Sequence, residues 1–438
     1  MRILTLTAGA ADMYCGSCLR DNALAGELIR QGHDVTLMPV YTPTKTDESN
    51  ASAQGRILFG GISVYLQQHS ALFRHTPWLL DRLWDSRWAL SAAARRSLSV
   101  NPTLLGEMTV SMLEGAGGPL AKEFRKFEHW LHGCQRPDII NLPNALLMAL
   151  APSIKRVYDG PVVVTLQGED LFLDQLQDPY GFRARELIRS HVPAVDGFIA
   201  ISSWYADHMA SYLGLPRERV HPVPIGVRAE DFTRAPERND GVFRVGYLAR
   251  IAPEKGLHLL AEAWREFRRR YPAPARLEVA GYLAPDHRTY LESVEAQLRQ
   301  WGLTADFTFH GELSRAEKLR FLASLDAFCV PPVYDDPKGL YLLEAMASGV
   351  PVVAPARGAL LEHVDACEGG LLVPPDDAVS IAEALLELAE NPVRARALGA
   401  SAHLGVGRRR SLAAMARRTL AVYQSLISLR TAPASAPA

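Results

Sequence analysis

Two successive series of alternating strand and helix patterns constrain this chain more than any other feature. The first opens with the apolar run 2–8, followed by a loop of small residues from Gly9 to Gly16. Leu19, Ala23, Leu24 and Leu28 then recur near helical spacing, which predicts a helix over 19–31. Gly32-His33-Asp34 ends it, and Val35–Val40 reads as the next strand. Strand, helix, strand is the unit of a parallel sheet, whose faces are covered by its own crossover helices. Strand-like runs return at 138–142, 162–166 and 197–201, with a helix predicted over 180–192 and another capped by Ser202, and 220–227 closes the domain.

The second series begins at Phe243–Leu248. It predicts helices over 256–270, 286–301, 314–324 and 378–390, and strands over 276–280, 306–310, 326–330 and 350–354. Residues 229–241, rich in Arg, Glu, Asp and Pro, read as an exposed linker between the two series. At 438 residues the chain is too long for one ordinary core. The expectation is therefore α/β, with two doubly wound domains over 1–228 and 229–410, and a cleft between them. A helix at 411–428 would cross back to the first domain, and 429–438 would be a disordered tail.

Residues 42–135 fit neither series. Leu80, Trp84 and Trp88 fall on one helical face, Trp78 and Trp130 flank it, and further helical patterns run through 91–99 and 119–132. This reads as a helical, aromatic insertion. Its stripe suits a core face, and its place at the rim of an α/β sheet suits a binding pocket.

Composition excludes several classes. Net charge is −1, so nothing draws the whole chain to nucleic acid. Beyond Glu390 there are eight arginines and no acidic residue, so the end of the chain is either a solvated basic helix face or a surface for phosphates or an anionic membrane. Five cysteines make no disulfide framework. Cys15-Gly-Ser-Cys18 has no second pair or histidine cluster to complete a zinc site. The start, with Asp12 close behind it, lacks the apolar core of a signal peptide, and no run reaches membrane-spanning length. A cytoplasmic protein, with peripheral membrane contact as an option, is the expectation.

The densest motif is 331–354, PPVYDDPKGLYLLEAMASGVPVVA, with Asp336 and Glu344 eight positions apart around the Gly339-Leu340 turn. Upstream, Arg250 and Lys255 are five apart and closed by Gly256. Alone, this pattern reads as a surface pair; arginine can grip phosphate oxygens in a bidentate way and lysine adds a point charge, so a phosphate site is the other reading. Together with Ala280-Gly281 and His310-Gly-Glu312, these stretches resemble the retaining GT-B glycosyltransferases of family 4 (glycosyl transferases group 1). The resemblance covers most of 1–40 and 136–428, with the strongest motifs in 243–354.

That resemblance implies two Rossmann-like domains and transfer of a hexosyl unit from a nucleotide diphosphate sugar, UDP-linked by preference, to a hydroxyl acceptor. Arg250 and Lys255 would hold the diphosphate, Glu344 the ribose and Asp336 the sugar. Gly16, Gly281, His310, Gly339 and Leu340 would line the donor, largely through backbone, and no metal or other cofactor would be needed. The first domain would select the acceptor.

Three positions depart from the family pattern. Asp336 stands where Glu is usual, Lys338 replaces a common aromatic, and Gln167 occupies the place of a histidine beside the transferred sugar. Lys338 would pair with Asp335 or face an anion. Gln167 cannot exchange a proton near neutral pH, though it can donate and accept hydrogen bonds. Retaining transfer described as front-face needs no general base, because the leaving phosphate accepts the proton. Glu169 and Asp170 would either assist positioning or cap a helix. Two other readings stay open: a sugar-nucleotide epimerase or phosphorylase of the same fold, and a non-catalytic sugar-nucleotide binding protein.

Overall fold

The computed structural model describes residues 1–9, 16–42, 49–52, 59, 102–233 and 240–431. The expected stripe of Leu80, Trp84 and Trp88, Trp78, the helical pattern at 91–99, Cys15 and the tail from 432 all lie outside the described residues.

Strands alternate with helices, as the apolar periodicity demands. The first sheet contains β1 (Arg2–Thr7), β2 (Asp34–Pro39), β3 (Ile139–Leu142), β4 (Val162–Leu166), β5 (Gly197–Ala200) and β6 (Val220–Pro222). Its order is β2-β1-β3-β4-β5-β6, with every pairing parallel. Four central strands are buried along nearly their whole length, which explains their near-continuous apolar runs. The second sheet contains β7 (Phe243–Leu248), β8 (Ala275–Ala280), β9 (Phe307–Phe309), β10 (Ala327–Cys329), β11 (Val352–Pro355) and β12 (Gly370–Val373). Its order is β12-β11-β10-β7-β8-β9, again all parallel.

The chain divides into two compact units. One comprises the described residues up to Val223 and from Ala416 onward, and the other runs from Pro224 to Met415. In each sheet the strand order reverses once, at β1/β3 in the first and β7/β10 in the second. Open α/β sheets bind ligands outside the carboxyl ends of strands at such reversals. The last helix, Leu412–Thr431, belongs mostly to the first unit. Leu426 packs on Gly197, and Arg430 reaches Asp196 at 3.3 Å.

Several elements differ from expectation. Helix Ala121–His132 lies where the pattern over 119–132 places one, whereas helix Pro102–Glu114, in the same stretch, was not anticipated. Trp130 stacks on Phe127 at 5.9 Å and packs against the first core. Within 220–227, which closes the first series, β6 covers only Val220–Pro222, with one further bond from Val223 N–H to the Ala200 carbonyl at 2.7 Å, and Pro222 and Pro224 offer no N–H to a ladder. Helix Gly358–Cys367, β12 and helix Pro392–Arg409 were not anticipated.

Candidate functional site

The motifs of the second unit meet at the β7/β10 reversal. β7 ends at Leu248 and leads into Arg250–Gly256, while β10 ends at Cys329 and leads into Pro331–Leu340. Gly256 makes the approach possible. It is left-handed (φ 73°), and a Cβ there would lie 1.7 Å from the Pro331 carbonyl oxygen. The buried Tyr247 hydroxyl sits 3.3 Å from the carbonyl of Arg250 and 3.4 Å from that of Lys255, pinning the turn. Val333 N–H donates to the Glu254 carbonyl at 3.0 Å and fastens the two loops together.

Lys255 is the centre of the arrangement. Its ammonium donates to Asp336 Oδ2 at 2.6 Å and to the Tyr334 hydroxyl. It also lies over the rings of Tyr334 and Tyr341, at 4.8 and 5.3 Å from their centroids. An ammonium has three hydrogens, so these two bonds leave one for a ligand oxygen. Asp336 accepts from Lys255 and Tyr341 Oη (2.9 Å) on one oxygen, and from Lys338 N (3.0 Å) and Gly339 N (3.3 Å) on the other. Burial alone would raise its pKa, but the Lys255 charge and these hydrogen bonds outweigh that and hold the carboxyl well below the usual range. The residue expected to grip a sugar thus has its accepting positions filled from within the protein, and what it fixes is Lys255. Burial and the nearby Asp336 charge push the Tyr334 and Tyr341 hydroxyls far up, so both remain donors.

Arg250 stays half-exposed, 2.7 Å from Glu254. Glu344, on helix Leu340–Ala347, is paired through Oε1 with Lys318 Nζ at 2.8 Å. Leu340 opens that helix, with Gly339 as its N-cap. Gly281 lies against the Arg250 loop, where a Cβ would sit 1.7 Å from the Ala249 carbonyl oxygen. His310 is at the end of β9 and bonds Glu278 at 2.7 Å, while Gly281 N–H donates to the Gly311 carbonyl at 2.8 Å. Asp335 faces Arg357 at 3.6 Å, and the Arg357 guanidinium also holds Asp376 at 3.0 Å and the Pro332 carbonyl at 3.1 Å.

In the first unit, Gly16 is the first residue of helix Gly16–Arg30, and Cys18 is buried within it. Gln167 follows β4 and is 2 % exposed. Its Nε2 donates to the Pro143 carbonyl at 2.7 Å and faces the Asp21 carboxylate at 3.3 and 3.4 Å. Those acceptors fix the amide orientation, and Oε1 is left buried with no donor among the described residues. Glu169 accepts the Gln167 and Ala145 N–H groups at 2.7 and 3.0 Å. Asp170 accepts the Tyr205 hydroxyl at 2.6 Å and lies 3.1 Å from His208 Nε2. Burial raises the Glu169 pKa against its backbone donors, whereas His208 and Tyr205 overcome burial and lower that of Asp170. Glu169 ties the segments after β3 and β4 together, and Asp170 anchors the start of its helix to Tyr205 and His208 on helix Ser203–Leu213.

Among the described residues, no cluster of His, Cys, Asp or Glu is arranged to hold a metal. Likewise, no described helix is long and apolar enough to cross a membrane. Tyr247, Lys318, Tyr334, Tyr341 and Arg357 were missed in the sequence. Tyr334 and Tyr341 stand inside the motif, so their spacing about Asp336 was the available signal.

Comparison with known proteins places the chain in a family. The model of glycosyl transferases group 1 matches residues 229–404, and that of glycosyltransferase family 4 matches 107–231. The chain is 28% identical over 300 residues to the phosphatidyl-myo-inositol mannosyltransferase of Mycobacterium leprae, covering 66% of this chain and 74% of that one. It is 27% identical over 270 residues to the glycogen synthase of Mycobacterium tuberculosis, covering 60% and 62%. Among solved structures, sucrose-phosphate synthase from Thermosynechococcus elongatus aligns with a TM-score of 0.70 at 19% identity, covering 98% of this chain and 99% of that one. Anabaena HepE in complex with UDP aligns at 0.67 and 17% identity, covering 97% and 100%, a likeness of fold. The two matched models run without a break from 107 to 404, the two sheets have the GT-B arrangement, and the chain belongs to the GT-B glycosyltransferases of family 4 type.

Proposed function

We propose that this glycosyltransferase moves a hexosyl unit from a nucleoside diphosphate sugar to a hydroxyl acceptor with retention at the anomeric carbon. The observation that carries the reading is Lys255, held by Asp336 and Tyr334 at the sheet reversal with one N–H unspent, close in sequence to a half-exposed Arg250. Departure of the diphosphate develops negative charge, and preorganised cations stabilise such charge most effectively where the protein already fixes them. Arg250 and Lys255 meet that charge, and Glu344, steadied by Lys318, accepts ribose hydroxyls. The bond from the anomeric carbon to the phosphate oxygen breaks as the acceptor oxygen bonds to the same face. The acceptor proton passes to the departing phosphate oxygen, so Gln167 need not act as a base. No metal is required in this reading, and turnover should persist in a chelator.

Similarity guides the choice of donors to test. A relative 28% identical over 272 residues is named a GDP-mannose-dependent mannosyltransferase acting on a phosphatidylinositol monomannoside. GDP-mannose is therefore tested beside the UDP-hexoses, with phosphatidylinositol in vesicles as the first acceptor. A hundredfold excess of a true donor over its Kd raises stability by about 2.7 kcal/mol. Lys255→Ala should abolish that shift, and full donor binding by this variant would refute the assignment. Donor incubated without acceptor should stay unchanged, whereas an altered free sugar would favour an epimerase.

A further inference from the structure

We propose that His363 and Arg410 are positioning residues which tie the two chain crossings at the unit boundary to the turn that holds Lys255. The inference rests on the donor role given to Lys255 above.

The second unit is bounded at Val223/Pro224 and at Met415/Ala416. Just inside those boundaries the two crossing segments are bonded to each other. Val227 N–H donates to the Arg410 carbonyl at 2.9 Å, and Leu412 N–H donates to the Val227 carbonyl at 2.7 Å. Gly226 presses so close that a Cβ would meet the Ser411 carbonyl oxygen at 2.4 Å.

From this fastening the Arg410 side chain turns inward. Its Nε–H donates to His363 Nδ1 at 3.2 Å and its Nη2 to the Glu362 carbonyl at 3.1 Å. His363 is fully buried, and its Nε2 lies 2.8 Å from the Lys338 carbonyl. An arginine nitrogen only donates, so Nδ1 must be the acceptor and Nε2 must carry the proton toward Lys338. The tautomer is therefore dictated by its partners. Lys338 N–H in turn donates to Asp336 at 3.0 Å, and Asp336 accepts from Lys255 at 2.6 Å. The route from crossing to phosphate-binding lysine is continuous: Val227, Arg410, His363, Lys338, Asp336, Lys255. In the donor reading above, only its last member meets the ligand.

The test measures GDP and UDP binding by titration calorimetry, well below each variant's unfolding temperature. His363→Phe keeps a ring but removes both hydrogen bonds, and should weaken binding of the nucleotide that the wild type prefers by about tenfold, the scale of a small misplacement of a binding group. His363→Gln retains a donor for Lys338 and an acceptor for Arg410, and should remain within about threefold of the wild type. Arg410→Met should weaken binding in the same direction, and the double variant His363→Phe/Arg410→Met should be no worse than the weaker single one. If His363→Phe does not fold, Arg410→Met against His363→Gln carries the comparison. Unchanged binding in folded His363→Phe or Arg410→Met, equal loss in Phe and Gln, or losses that multiply would each overturn the relay. Lys255→Ala separates the two readings. If the wild type binds neither nucleotide, or Lys255→Ala binds as well as the wild type, the donor assignment itself fails and the relay with it.

Discussion

Replacing Asp336 by Asn leaves shape almost unchanged and inverts the local hydrogen-bond logic. In the wild type both carboxylate oxygens accept, from Lys255 and Tyr341 on one side and from two backbone N–H groups on the other. An amide has one accepting oxygen, so either orientation turns its NH2 toward groups that only or mainly donate. With the NH2 toward Lys255, an ammonium whose side chain is 12% exposed loses its partner. Breaking a buried pair by removing one member costs about 3–5 kcal/mol. Tyr334 stays in place as acceptor and cation-π face, and returns about 1 kcal/mol of that. The expected local loss is about 3 kcal/mol, more than a hundredfold in the opening equilibrium. Two units need not unfold together, so the assay is amide hydrogen exchange on peptides from 243–355, compared with peptides of the first sheet as control. Saturating nucleoside diphosphate should restore more protection to Asp336→Asn than to the wild type, because phosphate supplies the missing anion. Protection in 243–355 within about 1 kcal/mol of the wild type would refute this account of Asp336.

Three other outcomes are expected. Burial, and then the charge of Arg410, push the His363 pKa from 6.5 down to about 4. Between those values the unfolded chain binds the extra proton, so stability is complete above the unfolded value and falls as pH drops from about 6.5 to about 4, by up to roughly 3 kcal/mol. Urea midpoints across that range should show the slope in the wild type and lose it in His363→Phe. Ser314 and Glu317 form a capping box on helix Arg315–Ala323, so Ser314→Ala should cost about 1 kcal/mol and loosen Lys318 against Glu344, read as faster exchange across 314–323. Gly281→Ala sets a Cβ against the Ala249 carbonyl oxygen at φ 146°, and should lower the thermal midpoint by the equivalent of about 2 kcal/mol or more while weakening donor binding.

The βαβ opening and the second series were legible because buried parallel strands leave long apolar runs, as in Val162–Leu166 and Val352–Pro355. The motif spacing located the loops of Arg250, Lys255 and Asp336 for the same local reason. What the sequence hid was pairing at a distance. Lys318 meets Glu344 from a neighbouring helix, and His363 reaches the Lys338 turn, with Arg410 behind it, from elements far along the chain. Nothing in the spacing of single residues encodes such contacts. Helix Pro392–Arg409 was hidden for the opposite reason. Gly399 and Gly405 lower helix propensity, yet each is where the helix touches backbone, with a Cβ 2.1 Å from the Gly349 carbonyl oxygen and 2.5 Å from Cys367 Cα respectively. Close packing used the residue that sequence reading takes as a helix breaker.

The pairing of Lys255 with Asp336 has a consequence for turnover. A bare lysine in a pocket would grip the spent nucleoside diphosphate as strongly as the departing group, and product would linger. Here the ammonium is already matched by a buried carboxylate and offers a single remaining N–H. In the donor role proposed for Lys255, ground-state attraction for the product would be correspondingly reduced, while the fixed geometry would still meet the charge that develops as the glycosidic bond to phosphate breaks. On that reading the pair would act as a brake on product inhibition.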